Sequence, residues 1–324
     1  MSKKVLISGG AGFIGSNICR ILLENGQKPI VYDAFIQYVS PFESSYQKHL
    51  EYRFRGIKDQ VTFVRGDTRD KNDVRKVIME HKPEVIIHLA ALPIADLSFT
   101  HTEETTGSIL NGTLNFLDTI HEVDFVERFV YTSSSMVYGD FKSIPALEEH
   151  PKAPKDVYGG TKLAGEILTE TYSRRYGIKY SIVRPSAVYG PTDVNRRVCQ
   201  ILIEKAIRGE KLTIYGGEDN VLDFTYVEDT AQGFVKVALS DSGENEVFNI
   251  TRGEGRSLID LIDLIKGYFP NIEIVKKPMQ HYRPKRGALS IQKARDLLNY
   301  EPKYSLEDGL KKYIEFYEAF NNAT

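Results

Sequence analysis

The sequence predicts an α/β protein with a doubly wound parallel sheet, followed by a smaller mixed C-terminal domain. Short apolar runs rich in Val and Ile alternate with longer amphipathic runs. Most of the short runs are apolar throughout, which is typical of strands buried on both faces of a helix-covered parallel sheet. Repeated alternation of strand and helix favours the doubly wound class. The predicted strands are Val5–Ser8, Ile30–Asp33, Val61–Val64, Val85–Leu89, Phe129–Thr132 and Tyr180–Val183, and predicted helices include Asp73–His81, Ile109–Glu122 and Lys162–Tyr176.

The pattern changes after Arg184. Turn-forming residues fill Pro185–Asn195, and longer irregular segments follow. One more strand, Val247–Ile250, is predicted to return to the main sheet. We therefore expect a sheet domain over residues 1–184, with a later strand near 246–250, and a mostly substrate-binding domain over 185–324.

Composition excludes several classes of protein. The chain has 324 residues, 41% hydrophobic and 27% charged, with a formal net charge of -2. These values favour a globular protein and give no sign of nucleic-acid binding. No apolar run approaches the roughly 20 residues of a membrane helix. Cys19 and Cys199 lie far apart without metal-ligand spacing, so we expect free thiols, no metal and a cytoplasmic location.

A glycine-rich loop follows the first strand. Residues 5–16 read VLISGGAGFIGS, which places Gly9, Gly12 and Gly15 in a G-x-x-G-x-x-G pattern between a strand and a helix. Glycines allow the tight turn and the close approach of a pyrophosphate, and the helix N-terminus attracts its charge. In this context the pattern predicts a Rossmann-type dinucleotide site, so 1–184 is expected to be the NAD-binding domain.

The cofactor preference follows from Asp33, at the end of the second strand. A carboxylate there can accept hydrogen bonds from the adenosine ribose and repels a 2′-phosphate. Neither Ala34 nor Phe35 offers a partner for such a phosphate. NAD is therefore predicted over NADP.

A second motif supplies acid–base chemistry. Tyr158 and Lys162 are spaced Y-x-x-x-K, which places them on one face of a helix, one turn apart. A lysine cation favours the phenolate and lowers the tyrosine pKa. Such a tyrosine can take a proton from a sugar hydroxyl while a hydride leaves the same carbon. The serine-rich run 132–139, TSSSMVYG, follows a strand and offers a hydroxyl to the same oxygen.

With these motifs the chain resembles the extended short-chain dehydrogenase/reductase superfamily, in its NAD-dependent nucleotide-sugar epimerase/dehydratase branch. The motifs GGAGFIGS, GDTRD, HLAA, SSSMVYGD, YGGTK, RPSAVYGP and DFTYVED cover nearly the whole chain in the family's order. The resemblance implies that Tyr158 is the acid/base, that Lys162 binds the nicotinamide ribose and that Ser134 is the catalytic hydroxyl. It also implies further cofactor contacts at Phe13, Ile14, Asp67, Thr68, Leu89, Ala90, Ala91 and Pro185, whereas His88 is expected to be structural.

Two residues distinguish among the family's activities. Family 4,6-dehydratases carry Asp-Glu after the catalytic Thr, and this chain has Ser135 and Met136 there. Methionine cannot exchange a proton, so dehydration is disfavoured. The resemblance is closest to the epimerases, including UDP-glucose and UDP-glucuronate 4-epimerases. We expect C4 epimerisation through a transient 4-keto sugar.

The substrate contacts are less fully specified. Ser134, Ser135 and Tyr158 are expected to touch the sugar. Ala187 stands where many relatives have Asn or Thr, and Leu222 where many have an arginine. A diphosphate still needs cations. The candidates are Arg196, Arg197 and Arg286, of which Arg286 matches a phosphate-binding position of the family. UDP is the expected nucleotide, with GDP, CDP and dTDP left open.

Three activities are compatible with these residues. A C4 epimerase recycles its NAD, whereas a nucleotide-sugar oxidoreductase or dehydratase shows net or internal hydride transfer. Retained cofactor without a net change in NADH absorbance would favour the epimerase. A silent NAD-sensing protein is the third, but such relatives usually lack the tyrosine or the lysine. The resemblance also implies a homodimer through Ile109–Glu122 and Tyr158–Tyr176, the latter with the apolar stripe Leu163, Ile167 and Leu168.

Overall fold

A computed structural model describes residues 2–36, 45–92, 98–280 and 283–322. Within them the strands are β1 (Lys4–Ser8), β2 (Lys28–Asp33), β3 (Thr62–Arg65), β4 (Val85–His88), β5 (Arg128–Thr132), β6 (Tyr180–Pro185), β7 (Val188–Tyr189), β8 (Leu212–Tyr215), β9 (Val221–Asp223), β10 (Thr225–Tyr226), β11 (Glu246–Ile250), β12 (Gly255–Ser257) and β13 (Ile274–Lys277). The helices are α1 (Phe13–Glu24), α2 (Tyr46–Arg53), α3 (Lys71–His81), α4 (Thr102–Thr106), α5 (Gly112–Ile120), α6 (Val157–Tyr176), α7 (Val198–Ile207), α8 (Val227–Leu239), α9 (Leu258–Tyr268), α10 (Gln292–Leu298) and α11 (Leu306–Asn322). None of these helices is both long and apolar enough to cross a membrane.

Seven of the described strands form one parallel sheet, in the order β11-β6-β5-β4-β1-β2-β3. The direction of strand addition reverses at β1, which lies between β4 and β2. Ligands of open parallel sheets bind outside the carboxyl ends of the strands at this switch point. The predicted α/β Rossmann-type fold is confirmed, and the site is expected beyond Ser8, Asp33 and His88.

Both faces of the sheet are covered at its central strands, which explains why β1, β2 and β4 are largely apolar, whereas the edge strand β3 is mostly exposed. On one face, Val5 and Ile7 of β1 pack with Ile18 of α1 and Phe234 of α8. On the other, Leu6 packs with side chains of α3 and α5. Successive side chains of a strand point to opposite faces, so each run needs apolar residues at every position.

A separate hydrophobic cluster occupies the later part of the chain. It is built from α7, β8, α9 and α11, and two-residue to four-residue strands pair beside it as β10-β7, β12-β9 and β13-β8. The segment is thus mixed α/β, while β11 pairs with β6 in the main sheet. The substrate-binding assignment of residues 185–324 stays a prediction.

Helix α6 lies close against β5 because of one glycine. A Cβ atom on Gly165 would lie 2.1 Å from the Tyr131 hydroxyl oxygen. That hydroxyl is buried and donates to the Lys162 carbonyl oxygen at 3.2 Å, so it has no room to retreat. The contact sets the distance between the sheet and α6. This helix carries the Y-x-x-x-K pair.

We expect Gly165→Ala to destabilise the fold by about 1–3 kcal/mol, the usual cost of overpacking a core. Gly160→Ala is the matched control on the same helix, because no heavy atom lies within 4 Å of its added Cβ. Alanine is the better helix former, so the control should gain up to about 1 kcal/mol. Urea unfolding measures both. Equal stability of the two variants would contradict the close contact between α6 and β5.

Candidate active site

The glycine loop lies at the switch point of the sheet. Gly9 has a φ of +70°, in the left-handed region that favours glycine. A Cβ on Gly15 would lie 2.6 Å from the Gly9 carbonyl oxygen and from the Gly10 Cα. Gly12 is the N-cap of α1 and receives no side-chain cap. The first N–H groups of α1 can therefore serve a bound anion, so the loop fits a pyrophosphate.

Asp33 contacts this loop directly. Its Oδ2 accepts from the Ala11 N–H at 3.0 Å, and its Oδ1 accepts from the Phe35 N–H at 2.8 Å. Burial raises the pKa of Asp33, while these hydrogen bonds and the Arg53 charge act in the opposite direction. The carboxylate stands at the end of β2, beside the loop, as a ribose contact requires.

The two predicted adenine contacts, Asp67 and Thr68, have different surroundings in the structure. Asp67 lines a cavity of about 370 Å³ together with Ala34, Ile36 and Arg65. Thr68 instead is buried against α5, where a Cβ on Gly112 would lie 2.9 Å from its Oγ1. The structure therefore places Asp67 at the cavity and turns the side chain of Thr68 toward α5.

The predicted loop Leu89–Ala91 touches the glycine loop. The Ala90 N–H donates to Ser8 Oγ at 3.3 Å, and a Cβ on Gly9 would lie 3.0 Å from the same nitrogen. Ser8 Oγ also bonds His88 Nδ1 at 2.6 Å. Burial, aided by the Lys162 charge, lowers the pKa of His88 to about 3. His88 is thus neutral and holds the two loops together, as its structural assignment predicts.

Ser134, Tyr158 and Lys162 converge beside these loops. Ser134 lies beside Tyr158, where its hydroxyl lowers the pKa of the phenol, and it caps the 3-10 turn 135–138 by accepting from the Met136 N–H at 3.2 Å. Lys162 Nζ lies 5.7 Å from the centroid of the Tyr158 ring and donates to the Thr132 carbonyl oxygen at 2.7 Å. The two parts of the motif meet because Gly159 lacks a Cβ, which would lie 2.8 Å from the Met136 carbonyl oxygen.

The charges around Tyr158 differ from those expected. Burial raises the pKa of Tyr158, whereas the Arg197 charge and the Ser134 hydrogen bond lower it. Lys162, expected to supply this lowering, has its own pKa reduced to about 7 by burial. Within the described residues, burial therefore disfavours the phenolate, and Arg197 and Ser134 offset this only in part.

The neighbouring hydroxyls are engaged elsewhere. Ser133 donates to Glu166, and Ser135 donates to Ser186 at 3.1 Å. The Tyr138 hydroxyl is buried, accepts from Arg184 at 2.8 Å and donates to Asn249 at 2.7 Å. Tyr138 is therefore not available as an alternative acid/base.

The three substrate arginines have different surroundings. Arg286 approaches Met136, with 3.5 Å between Nη1 and Sδ, and its buried Nε has no hydrogen-bond partner among the described residues. Burial, with the Arg283 charge, lowers the pKa of Arg286 to about 10. Arg197 pairs with Asp193 at 2.7 Å and lies over the Phe13 ring, whereas Arg196 is exposed. Arg286 is thus the cation best placed for a diphosphate.

Pro185 is the last residue of β6, and Ala187 follows it two positions later. Pro185 pairs with Ile250 of β11, and Ala187, with a φ of +36°, packs against the cluster formed by the later part of the chain. The remaining loop residue, Ile14, packs beside Phe13 against Val188 and Val227. The contacts that the resemblance implies for these positions stay predictions.

Sequence reasoning missed three buried charged residues next to the site. Glu166 and Arg184 form an ion pair behind the serine turn, and Arg53 joins the glycine loop to the loop after β7. Their signal is a charged residue inside an otherwise buried stretch, such as Glu166 one turn beyond Lys162. Such a signal predicts a buried partner but does not identify it.

Comparison with known proteins agrees with this geometry. A putative UDP-glucose 4-epimerase of Methanocaldococcus jannaschii is 32% identical over 99% of this chain and 100% of its own. A UDP-glucuronic acid 4-epimerase from Bacillus cereus, solved with UDP-glucuronic acid and NAD, has a TM-score of 0.89 at 28% identity, covering 99% of this chain and 100% of that one. A UDP-glucose 4-epimerase from Thermotoga maritima, solved with UDP-glucose, has a TM-score of 0.86 at 30% identity, covering 98% and 99%.

A family model completes the comparison. It describes the NAD dependent epimerase/dehydratase family and matches residues 5–251, which include the glycine loop, the serine turn and the Y-x-x-x-K pair. The expected resemblance and the expected NAD-dependent enzyme class are confirmed, and the chain belongs to the NAD dependent epimerase/dehydratase family.

Proposed function

We propose that this protein is an NAD-dependent epimerase that inverts C4 of a nucleoside-diphosphate sugar, with UDP as the nucleotide. The observation that supports this most is the meeting of Ser134, Tyr158 and Lys162 beside the glycine loop, with Met136 in the same turn. The similar epimerases with UDP-sugars in their names support the choice of substrate class.

The chain's own residues perform the proton chemistry. Tyr158, as phenolate, takes the proton of the C4 hydroxyl, and Ser134 holds that oxygen by a hydrogen bond. NAD, when bound, supplies the group that accepts a hydride from C4 of the sugar and later returns it. The 4-keto sugar turns in the cleft, and Tyr158 returns the proton to the same oxygen after reduction from the opposite face. No proton is gained or lost over the cycle.

The cleft holds no acid–base pair suited to dehydration in the serine turn. Elimination of water needs a residue that exchanges a proton at a second carbon. Met136 occupies the candidate position, and its sulfur faces Arg286. Epimerisation needs only one acid/base, which Tyr158 provides.

Arg286 is proposed to bind the diphosphate. Its Nε is buried and has no partner within the described part of the chain, and a guanidinium gains most from a group with two acceptor oxygens, such as a phosphate. Asp33 is proposed to select NAD, because a 2′-phosphate beside this carboxylate would be repelled.

The proposed activity is tested by product analysis. Holoenzyme incubated with UDP-glucose, UDP-galactose, UDP-glucuronate or their GDP, CDP and dTDP counterparts should interconvert one C4 pair without a net change in NADH absorbance. Tyr158→Phe should lower kcat by about 10²–10⁴-fold, because an acid/base in the transition state contributes this much. It should retain NAD, because the ring still fills its place.

The matched control is Tyr138→Phe, which removes a buried phenol outside the proposed chemistry. It should keep more of its turnover than Tyr158→Phe. Near wild-type turnover of Tyr158→Phe on a verified substrate would exclude the assignment. Net accumulation of NADH would favour an oxidoreductase instead.

Ser134→Ala is expected to change the pH profile. The Ser134 hydrogen bond lowers the pKa of Tyr158, so its loss raises that pKa. The base works deprotonated, so activity falls as pH drops through its pKa. In Ser134→Ala, the acidic limb of kcat/KM should therefore move to higher pH. Ser133 and Ser135 cannot substitute, because Glu166 and Ser186 engage their hydroxyls. An unmoved limb would contradict the contact.

We further propose a homodimer through α5 and α6. Of the apolar stripe on α6, Leu163 and Leu168 pack within the chain, whereas Ile167 is 54% exposed. Ile167→Glu should therefore lower the mass measured by light scattering at micromolar concentration. Ile144→Glu is the control, because Ile144 is exposed on a loop outside these helices. A monomeric wild type would contradict the dimer.

A further inference from the structure

Arg53 bridges the glycine loop and the loop that follows β7. It ends α2 and is only 5% exposed. Its Nη1 donates to the Ala11 carbonyl oxygen at 2.9 Å, and its Nη2 donates to the Thr192 carbonyl oxygen at 2.7 Å. One rigid guanidinium thus holds together two backbone segments, at Ala11 and Thr192, that are far apart in sequence.

On the cofactor side, Arg53 bonds the same residue as Asp33, at the adjoining peptide group. The Ala11 N–H donates to Asp33, and the Ala11 carbonyl accepts from Arg53. Ala11 immediately precedes Gly12, the N-cap of α1. Ala11 is therefore held at both of its peptide groups, at its N–H by a carboxylate and at its carbonyl by a cation.

On the substrate side, Arg53 supports an unusual backbone. Thr192 has a φ of +71°, a conformation that β-branched residues rarely adopt without external support. The next residue, Asp193, is buried and pairs with Arg197 at 2.7 Å. Arg197 in turn lies over the Phe13 ring and lowers the pKa of Tyr158. The loop 192–197 is thus attached to the glycine loop at two points.

We propose that Arg53 is a positioning residue that couples occupancy of the NAD site to occupancy of the nucleotide-sugar site. The inference rests on the proposed function. Cofactor at the cradle holds the Ala11 peptide in place, and through Arg53 this orders the Thr192 segment and the Asp193–Arg197 pair. Substrate on that segment has the reverse effect, because a coupling free energy is reciprocal.

The test measures NAD release from holoenzyme with a reporter enzyme that consumes NAD. UDP is the probe for the substrate site, and calorimetry of the wild type establishes its binding. Saturating UDP should slow NAD release from wild type at least about fivefold, the low end of measured couplings. In Arg53→Lys, UDP should leave the release rate nearly unchanged, because an ammonium cannot reproduce the two-pronged guanidinium fork. Arg53→Met should release NAD faster in either condition.

Arg55→Lys and Arg55→Met are the matched controls, because Arg55 is exposed two residues away. Both should keep the full UDP effect. A wild-type UDP effect in Arg53→Lys, which retains the charge and the fold, would overturn the proposal. If UDP binds to the wild type without slowing NAD release, the coupling is also overturned, while the epimerase assignment is unaffected. Failure of wild type to bind UDP would overturn the coupling together with the proposed function.

Discussion

The geometry of the active site depends on the buried ion pair between Glu166 and Arg184. Arg184 donates to both Glu166 oxygens, at 2.8 and 2.7 Å, and its Nη1 donates to the Tyr138 hydroxyl and the Glu148 carbonyl. Glu166 also accepts from Ser133. The pair therefore joins α6, β6 and the serine turn in one network. Removing one partner of such a pair typically costs about 3–5 kcal/mol, because the remaining charge is left buried and unpaired. Helix α6 is thereby fixed beside the turn, and Ser134 can reach Tyr158.

Lys162 and Arg286 have no such ion pair among the residues that the structure describes. Burial lowers the pKa of Lys162 to about 7 and that of Arg286 to about 10, so both groups are held in an environment that disfavours their charge. An anionic ligand would reverse this effect, because a nearby negative charge stabilises a cation and raises its pKa. A dinucleotide and a sugar diphosphate both bring such charge. The cost of burying these cations in the free protein is therefore offset when the ligands arrive, which favours binding of phosphorylated molecules over neutral sugars.

The fold and the reacting groups could be predicted from sequence because their signals are local. The glycine loop, Asp33 and the Y-x-x-x-K pair each lie within one strand–loop–helix unit, and strand patterns report burial directly. Strand β13 and the short pairs of the later segment lack such periodicity. Spacing does not reveal that Lys162 Nζ bonds the Thr132 carbonyl oxygen, and the role of Lys162 in lowering the tyrosine pKa stays a prediction. Arg53 and Glu166 were missed for the same reason, since their partners are distant in sequence.

The serine turn shows why different roles could not be assigned to three adjacent serines without the structure. Ser133, Ser134 and Ser135 directly follow β5, and their hydroxyls contact Glu166, Tyr158 and Ser186, respectively. Ser133 connects the turn to the buried ion pair, and Ser135 connects it to the residue after β6. Ser134 is left beside Tyr158, and its oxygen also caps the turn. The two outer serines therefore fix the backbone that the middle one needs in order to act on the phenol. Three equivalent hydroxyls thus acquire one chemical and two structural roles from the strands and helix that surround them.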